Sequence, residues 1–283
     1  VVDYVEVESS DMLIVPEQEM CQLIVGDIRD EKTATQVAKG RDIIVHFAAN
    51  PGVPASVENP RIDMECNVVG TFNMLEAARI KNIQRFVFAS SGAPAGEVEP
   101  PIHEELPPHP VSPYGASKLA GEGYCSSYFK TFGIDTVALR FGNVYGPGST
   151  HKGSVVAKFI KNAINGKTLE IYGDGNQTRD FIYIDDLIEA VLKAATVTGV
   201  GGEVFQIATN KETTVSEMTD LLIQGLVAEG ITRPNIINSS KRLGDVMRNY
   251  SDTSKAKIHL GWQPKVELNV GIKKTIPYFL GKF

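Results

Sequence analysis

A doubly wound α/β fold, a parallel sheet with helices on both faces, is what this sequence of 283 residues predicts. Three observations carry the reading. Short apolar runs (DIIVHF at 42–47, RFVFAS at 85–90 and TVALR at 136–140) have the composition of strands buried on both faces. Segments of helical period alternate with them, the clearest at 60–81, where Val68, Phe72, Leu75 and Ala78 recur in step. Ser91 closes the second run, where such sheets place active sites, and Tyr114 and Lys118 follow in SPYGASK.

In chain order, VVDYVE (1–6) reads as a strand running into a loop, and CQLIV (21–25) as a strand ending in Gly26-Asp27-Ile28. Residues 31–39 form a short helix, 42–47 a strand ending in Ala48-Ala49, 60–81 a long helix and 84–90 a strand. The proline-rich 100–113 is a loop and a natural wall for a site. Residues 113–132 are a helix with Tyr114 in its first turn, and 136–140 a strand. After Asn143 the pattern changes: 155–165 is a helix and 173–175 a glycine turn. The strand 181–184 and helix 185–195 are expected to return to the main sheet, joined by 204–208. The helix 215–229, a basic strand-like stretch and a terminal helix complete a smaller lobe. The expected division is 1–144 plus about 176–209 for one domain and 145–175 plus 210–283 for the other.

Composition bounds the function. The formal charge of −6 gives no electrostatic reason to bind nucleic acid or an acidic membrane. No apolar run reaches the length of a membrane span, and no signal peptide opens the sequence, so the expected location is cytoplasmic. Cys21, Cys66 and Cys125 are scattered and fit small core positions in a reducing compartment. The five histidines form no ligand cluster, so no metal is expected, and His46 reads as a satisfied core residue.

The chemistry rests on Ser91, Tyr114 and Lys118. On one helix, residues four apart share a face. An ammonium beside a phenol stabilises the phenolate and draws its pKa from about 10 toward neutrality. A serine hydroxyl can then hold a substrate oxygen while the phenolate takes its proton. Such a set suits hydride chemistry at a carbinol carbon. Tyr-x-x-x-Lys alone also occurs by chance in helices, and it is the strand-end serine that distinguishes this one.

The segments GDIRD (26–30), VHFAA (45–49), NVVGTFNMLEAA (67–78), FVFASS (86–91), SPYGASK (112–118), LRFGNVYGPG (139–148), YGDGNQTRDFIYIDD (172–186) and RLGDVMRNYSD (242–252) occur in order. Together they resemble the extended short-chain dehydrogenase/reductase superfamily and, within it, the nucleotide-sugar epimerases, closest to the UDP-glucose 4-epimerases. The resemblance implies a Rossmann-type domain binding NAD, a smaller lobe binding a UDP-sugar, and a homodimer built on helices 60–81 and 113–131. One departure is plain. No glycine loop in a strand–helix context is present, so the sequence is expected to start at the second strand, about 25 residues in, and to be part of a longer enzyme. The alternative is a relative that does not bind the dinucleotide normally.

By the same resemblance, Asp3 accepts the adenosine ribose and selects NAD over NADP. Asp27 and Ile28 meet the adenine. Phe47, Ala48 and Ala49 let the dinucleotide approach the backbone, Asn67 faces it, and Phe141 joins Tyr114 and Lys118 in the cofactor set. Lys118 also holds the nicotinamide ribose. On the substrate side, Ser91 holds the reacting oxygen, with Ser90 as the alternative serine, and Asn143 touches the sugar–phosphate linkage. Arg179 and Arg242 clamp the diphosphate with bidentate guanidinium bonds, while Asp180 and Asp245 orient the arginines or cap turns. Asn249, or in its place Tyr250, lines the C2 side of the hexose.

The residues after Ser91 choose the reaction. Dehydratases and decarboxylases of this superfamily carry a carboxylate there, whereas this sequence has Gly92-Ala93-Pro94-Ala95. Elimination then lacks its general acid. The expectation is C4 epimerisation of a UDP-hexose. Ala95 stands where the family usually has tyrosine, which widens that wall and leaves the hexose open. A non-catalytic sugar-nucleotide-binding relative is the alternative from another class, with other UDP-sugar-modifying chemistry behind it.

Overall fold

A computed structural model describes residues 24–241 and 246–282. The expected strand at 1–6, most of that at 21–25, and Asp3, Arg242 and Asp245 lie outside the described residues. The chain divides into two compact units, and each is described by itself.

The first unit comprises residues up to Gly96, Pro108–Arg140 and Ala194–Val204. It opens with α1 (Glu31–Ala38), whose N-cap Asp30 accepts from the backbone N–H groups of Lys32 and Thr33. Strand β1 (Ile43–His46) follows, then α2 (Val53–Glu58) and α3 (Pro60–Met64). The single helix expected over 60–81 is broken: residues Glu65–Val69 form a π turn before α4 (Gly70–Ile80). Such turns tend to mark functional sites, because the inserted residue rotates its neighbours onto a new face. Strand β2 (Arg85–Ser91) is buried until its last residue. Helix α5 (Pro113–Phe132) runs over the span the sequence predicts. Ser112 caps it by accepting from Gly115 N at 3.1 Å, Pro113 supplies a first residue that needs no N–H partner, and Gly133 ends it in the left-handed region at φ 71°. Strand β3 (Asp135–Phe141) closes this part.

β1 pairs in parallel with β2, Ile44 opposite Phe86 and His46 opposite Phe88. Leu75, Phe86, Phe88, Cys125, Tyr128 and Ala138 form the core between this sheet and α1, α4 and α5. Gly121 lets α5 sit close on β2, since a Cβ there would stand 2.3 Å from the Phe88 ring. Arg85, buried at the start of β2, donates to the carbonyls of Ala194 (2.7 Å) and Val197 (2.8 Å) and pairs with Asp135 at 2.6 Å.

The second unit comprises Glu97–Pro107, Phe141–Lys193 and Phe205–Phe283. Along it run β4 (Asn143–Tyr145), α6 (Val155–Ile164), β5 (Leu169–Tyr172), β6 (Thr178–Arg179), β7 (Phe181–Tyr183) and α7 (Ile184–Thr196). Next come β8 (Glu203–Ile207), β9 (Thr213–Thr214), α8 (Val215–Ala228), β10 (Ile236–Ser239), α9 (Ser254–His259) and α10 (Leu268–Leu280). β8 joins the main sheet, whose order is β1-β2-β3-β8. The strand over 181–183 does not. It pairs in parallel with β4, Asn143 opposite Phe181, and β6 pairs with β9. Residues 176–193 and 205–209 cluster with the second unit. Phe159, Ile160, Leu169, Leu222, Ile276 and Phe279 are among the residues of the unit's core.

Candidate active site

β2 and α5 bring Ser91, Tyr114 and Lys118 together. The Ser91 hydroxyl accepts from Ala93 N at 3.2 Å and stands close enough to the Tyr114 phenol to pull its pKa down. Lys118, 4 % exposed, donates from Nζ to Ala89 O at 2.7 Å and lies 5.9 Å from the Tyr114 ring centroid and 4.9 Å from that of Phe88. Ser90, the alternative serine, is buried, and its hydroxyl donates to Glu122 Oε1 at 2.5 Å. Strand alternation turns the two serines to opposite faces, so Ser91 is the one beside the phenol.

The electrostatics depart from expectation in one respect. Burial pushes the Tyr114 phenol above its ordinary value, Asp63 adds to that, and the Ser91 hydrogen bond only partly offsets it. Lys118 does not draw the phenol toward neutrality here. Burial lowers the lysine itself to about 8, against opposing pulls from Asp63 and Glu122. The ammonium remains charged at neutral pH, spends one N–H on Ala89 and keeps two more for a ligand. A buried cation with spare donors beside a phenol fits the ribose hydroxyls of a nicotinamide nucleotide.

The other cofactor candidates fall into groups. Asp27 presents its carboxylate at the surface but is held by Arg29, which donates from N at 2.8 Å, Nε at 2.8 Å and Nη2 at 2.5 Å. These bonds keep its carboxyl below the usual range. The Ile28 side chain is buried in the core, so only its backbone is open to an adenine; its carbonyl accepts from Asn73 Nδ2 at 3.0 Å. Phe47 is exposed and Ala48 and Ala49 are half-buried, on the loop after β1. The amide of Asn67 is spent within the protein. Its Oδ1 accepts from Asn50 N at 2.7 Å, and its Nδ2 lies within bonding distance of Asn50 O (3.0 Å), Asp63 Oδ1 (2.9 Å) and Ser117 Oγ (3.2 Å). Asn67, in the π turn, is buried and fixes the loop after Ala49. Phe141 is half-buried at the end of β3.

In the second unit, Asn143 opens β4, and Arg179 ends β6 two residues before Phe181 of β7, the strand that pairs with β4. Asn143 is exposed, with its backbone N donating to Asp180 O at 2.7 Å. Arg179 Nη1 donates to Thr178 O (2.6 Å) and to Val246 O (2.7 Å), the first described residue after 242–245. Asp180 is buried and accepts from Thr209 N (2.7 Å), Thr209 Oγ1 (2.5 Å) and Asn210 N (3.0 Å), so it caps a turn. Asn249 is half-buried, its N donating to Thr178 Oγ1 at 3.3 Å.

Two features escaped the sequence reading. Asp63 is a buried carboxylate bonded into the Asn67–Ser117 cluster; nothing in a lone helical aspartate signals that. Glu122 and Arg140 form a buried bidentate pair at 2.8 and 2.7 Å beneath Ser90. Glu122 stands one turn after Lys118, and that spacing was the available signal. His46 is buried, its Nε2 3.0 Å from Thr71 Oγ1, which is the satisfied core residue expected. Among the described residues no cluster of His, Cys, Asp or Glu could hold a metal, and no helix is long and apolar enough to cross a membrane.

The model of the NAD dependent epimerase/dehydratase family matches residues 5–208. The chain belongs to that family. NAD is accordingly its cofactor, and the extended short-chain dehydrogenase/reductase superfamily and the Rossmann-type fold hold for it. Relatives agree. A putative UDP-glucose 4-epimerase of Methanocaldococcus jannaschii is 39% identical over 261 residues, covering 90% of this chain and 83% of the relative. The UDP-glucose 4-epimerase of Thermotoga maritima, solved with UDP-glucose, superposes with a TM-score of 0.90 at 32% identity, over 100% of this chain and 90% of its own. A UDP-N-acetylglucosamine 4-epimerase of Methanobrevibacter ruminantium, solved with UDP-N-acetylmuramic acid, gives 0.91 at 28% identity, over 100% and 90%. The relative and the two solved neighbours named here carry the names of nucleotide-sugar 4-epimerases.

Proposed function

We propose that the protein interconverts the C4 epimers of a UDP-hexose, with Ser91, Tyr114 and Lys118 as its catalytic residues. The placement of a buried, charged Lys118 beside the Tyr114 ring and bonded to Ala89 O, two residues before Ser91 at the end of β2, carries the reading. Bound NAD would supply the hydride acceptor and donor for the carbinol carbon and would not be consumed. Ser91 holds the C4 oxygen, and Tyr114 takes its proton in oxidation and returns it in reduction. Lys118 holds the ribose hydroxyls and stabilises the phenolate. The turn Gly92–Ala95 offers no carboxylate to expel a hydroxyl, which favours epimerisation over dehydration. Asn143, Arg179 and Arg242 hold the diphosphate and sugar. Asp3, Asp27, the backbone of Ile28 and the loop Phe47–Ala49 serve the adenosine half, and Phe141 the nicotinamide half, with Asn67 fixing that loop.

The reading extends to a homodimer and to the cytoplasm. Phe72, Tyr124 and Phe132 are partly or largely exposed on α4 and α5, and with Tyr128 they form an edge-to-face column with centroid spacings of 5.5, 6.4 and 5.0 Å. Such a column suits burial against a second copy. The free thiols Cys66 and Cys125 fit a reducing compartment.

The experiment is to supply NAD with UDP-galactose, UDP-GalNAc and UDP-galacturonate in turn and follow epimer formation. Full turnover by Tyr114→Phe would refute the assignment. Asn249 is small and polar, with room to bond an amide, so we expect UDP-GalNAc to be turned over. Asn249→Tyr should cut kcat/KM for UDP-GalNAc selectively, by roughly tenfold or more, as a filled pocket rejects a bulky group. Rejection of UDP-GalNAc by the unaltered enzyme would place the gate elsewhere.

A further inference from the structure

Two successive turns of α5 grip two consecutive residues of β2, both just before Ser91. Lys118 donates from Nζ to Ala89 O at 2.7 Å, and Glu122, one turn on, accepts from the Ser90 hydroxyl at 2.5 Å. The second grip is locked from the neighbouring strand β3. There Arg140 donates from Nε to Glu122 Oε1 at 2.8 Å and from Nη2 to Oε2 at 2.7 Å. Ser90, Glu122 and Arg140 are all buried. Glu122 Oε1 thus takes one donor from each strand, and α5 cannot slide along β2 without breaking both bonds. The nearby contact of Gly121 with the Phe88 ring sets how close α5 lies, but not where along the strand it stops.

An ion pair is a poor way to stabilise this place. Both charges are stripped of water, and an apolar pair of like volume often serves a fold as well or better. This pair is also one hydrogen bond short, because Arg140 Nη1 is buried without a partner among the described residues. What the pair has and an apolar contact lacks is direction, since the carboxylate fixes a distance and an angle to each donor. We infer that Glu122 and Arg140 are positioning residues, which act through Ser90 to seat α5 on β2 so that Lys118 and Tyr114 stand at Ser91; this rests on the assignment of those three residues to catalysis above. The route is short: Ser90 precedes Ser91 in the chain, and Glu122 follows Lys118 by one helical turn.

The test replaces the pair as a unit. Glu122→Leu alone should be strongly destabilised, because it strands the Arg140 charge in the core. Glu122→Leu combined with Arg140→Met should melt at or above the parent's temperature, since no charge is left unpaired. Its kcat should nevertheless fall roughly ten- to a hundredfold with KM unchanged, as misplaced groups lose rate and not substrate affinity. A purely structural pair predicts that stability and kcat recover together. A crystal structure of the double variant should show Lys118 Nζ beyond hydrogen-bonding distance of Ala89 O. Parent-level kcat in a stable double variant, or an unmoved Lys118, overturns the inference. If that variant does not fold, Glu122→Met with Arg140→Leu takes its place, and collapse of both marks the pair as a folding requirement and overturns the inference too. Tyr114→Phe, assayed alongside, separates the two readings. Full turnover there refutes the catalytic assignment, whereas a dead Tyr114→Phe beside a fully active double variant refutes only the positioning. The Lys118 position is read without substrate, so it judges the seat in either case.

Discussion

At the scale of single residues, the site holds its groups in a resting state. Tyr114 keeps its proton because burial outweighs the Ser91 hydrogen bond, and Lys118 sits near 8. Tyr114→Phe should lower kcat about a thousandfold, within the range for general acid–base groups, while UDP-sugar affinity measured by calorimetry holds. His46 supplies a second prediction. Its folded pKa of about 3 lies below the ordinary 6.5, so the unfolded chain binds a proton that the folded chain refuses. Stability is then whole above pH 6.5 and drains as pH falls toward 3, by about 4 kcal/mol at the acid end. His46→Gln should flatten that slope in urea midpoints measured from pH 7 to 4. The choice of Ser91 over Ser90 was legible because a strand end alternates its faces. The burial of Asp63 was not, since a lone aspartate in a helical stretch gives no sign of the packing around it.

Among elements, α5 was readable to the residue because its ends carry chemistry, Ser112 and Pro113 at one and Gly133 at the other. The helix over 60–80 was readable only as a whole. A π turn leaves the apolar period nearly intact, so nothing in the sequence announces that Asn67 is turned inward. Strands of two residues, such as β6 and β9, cannot show an alternation at all and went unread. Their partners are set by tertiary placement, which is why 181–183 was assigned to the wrong sheet. Two substitutions probe the α5 seat. Ser112→Ala removes the cap and should cost about 1 kcal/mol. Gly121→Ala drives a methyl into the Phe88 ring and should cost roughly 1–3 kcal/mol. Thermal melts of both should fall, and the second should also depress kcat because α5 carries Tyr114 and Lys118.

For the whole molecule, the aromatic column on α4 and α5 sets an expectation about assembly. Phe72→Glu should halve the mass seen in light scattering at micromolar concentration, since a charge cannot be buried there unpaired. A monomeric parent protein would remove the premise. The order of synthesis gives Arg85 a different significance. Its partners, the carbonyls of Ala194 and Val197, leave the ribosome 109 and 112 residues after it. Until then the guanidinium has only Asp135, and β3 has an open edge where β8 will lie. The first unit thus cannot finish folding as it is made; it must wait while nearly half of the second is synthesised. At a translation rate of roughly 5–20 residues per second, that is an interval of about 5–20 s with a sticky strand edge exposed. A nascent chain arrested near residue 190 should therefore be a chaperone client, and one arrested well beyond 207 far less so.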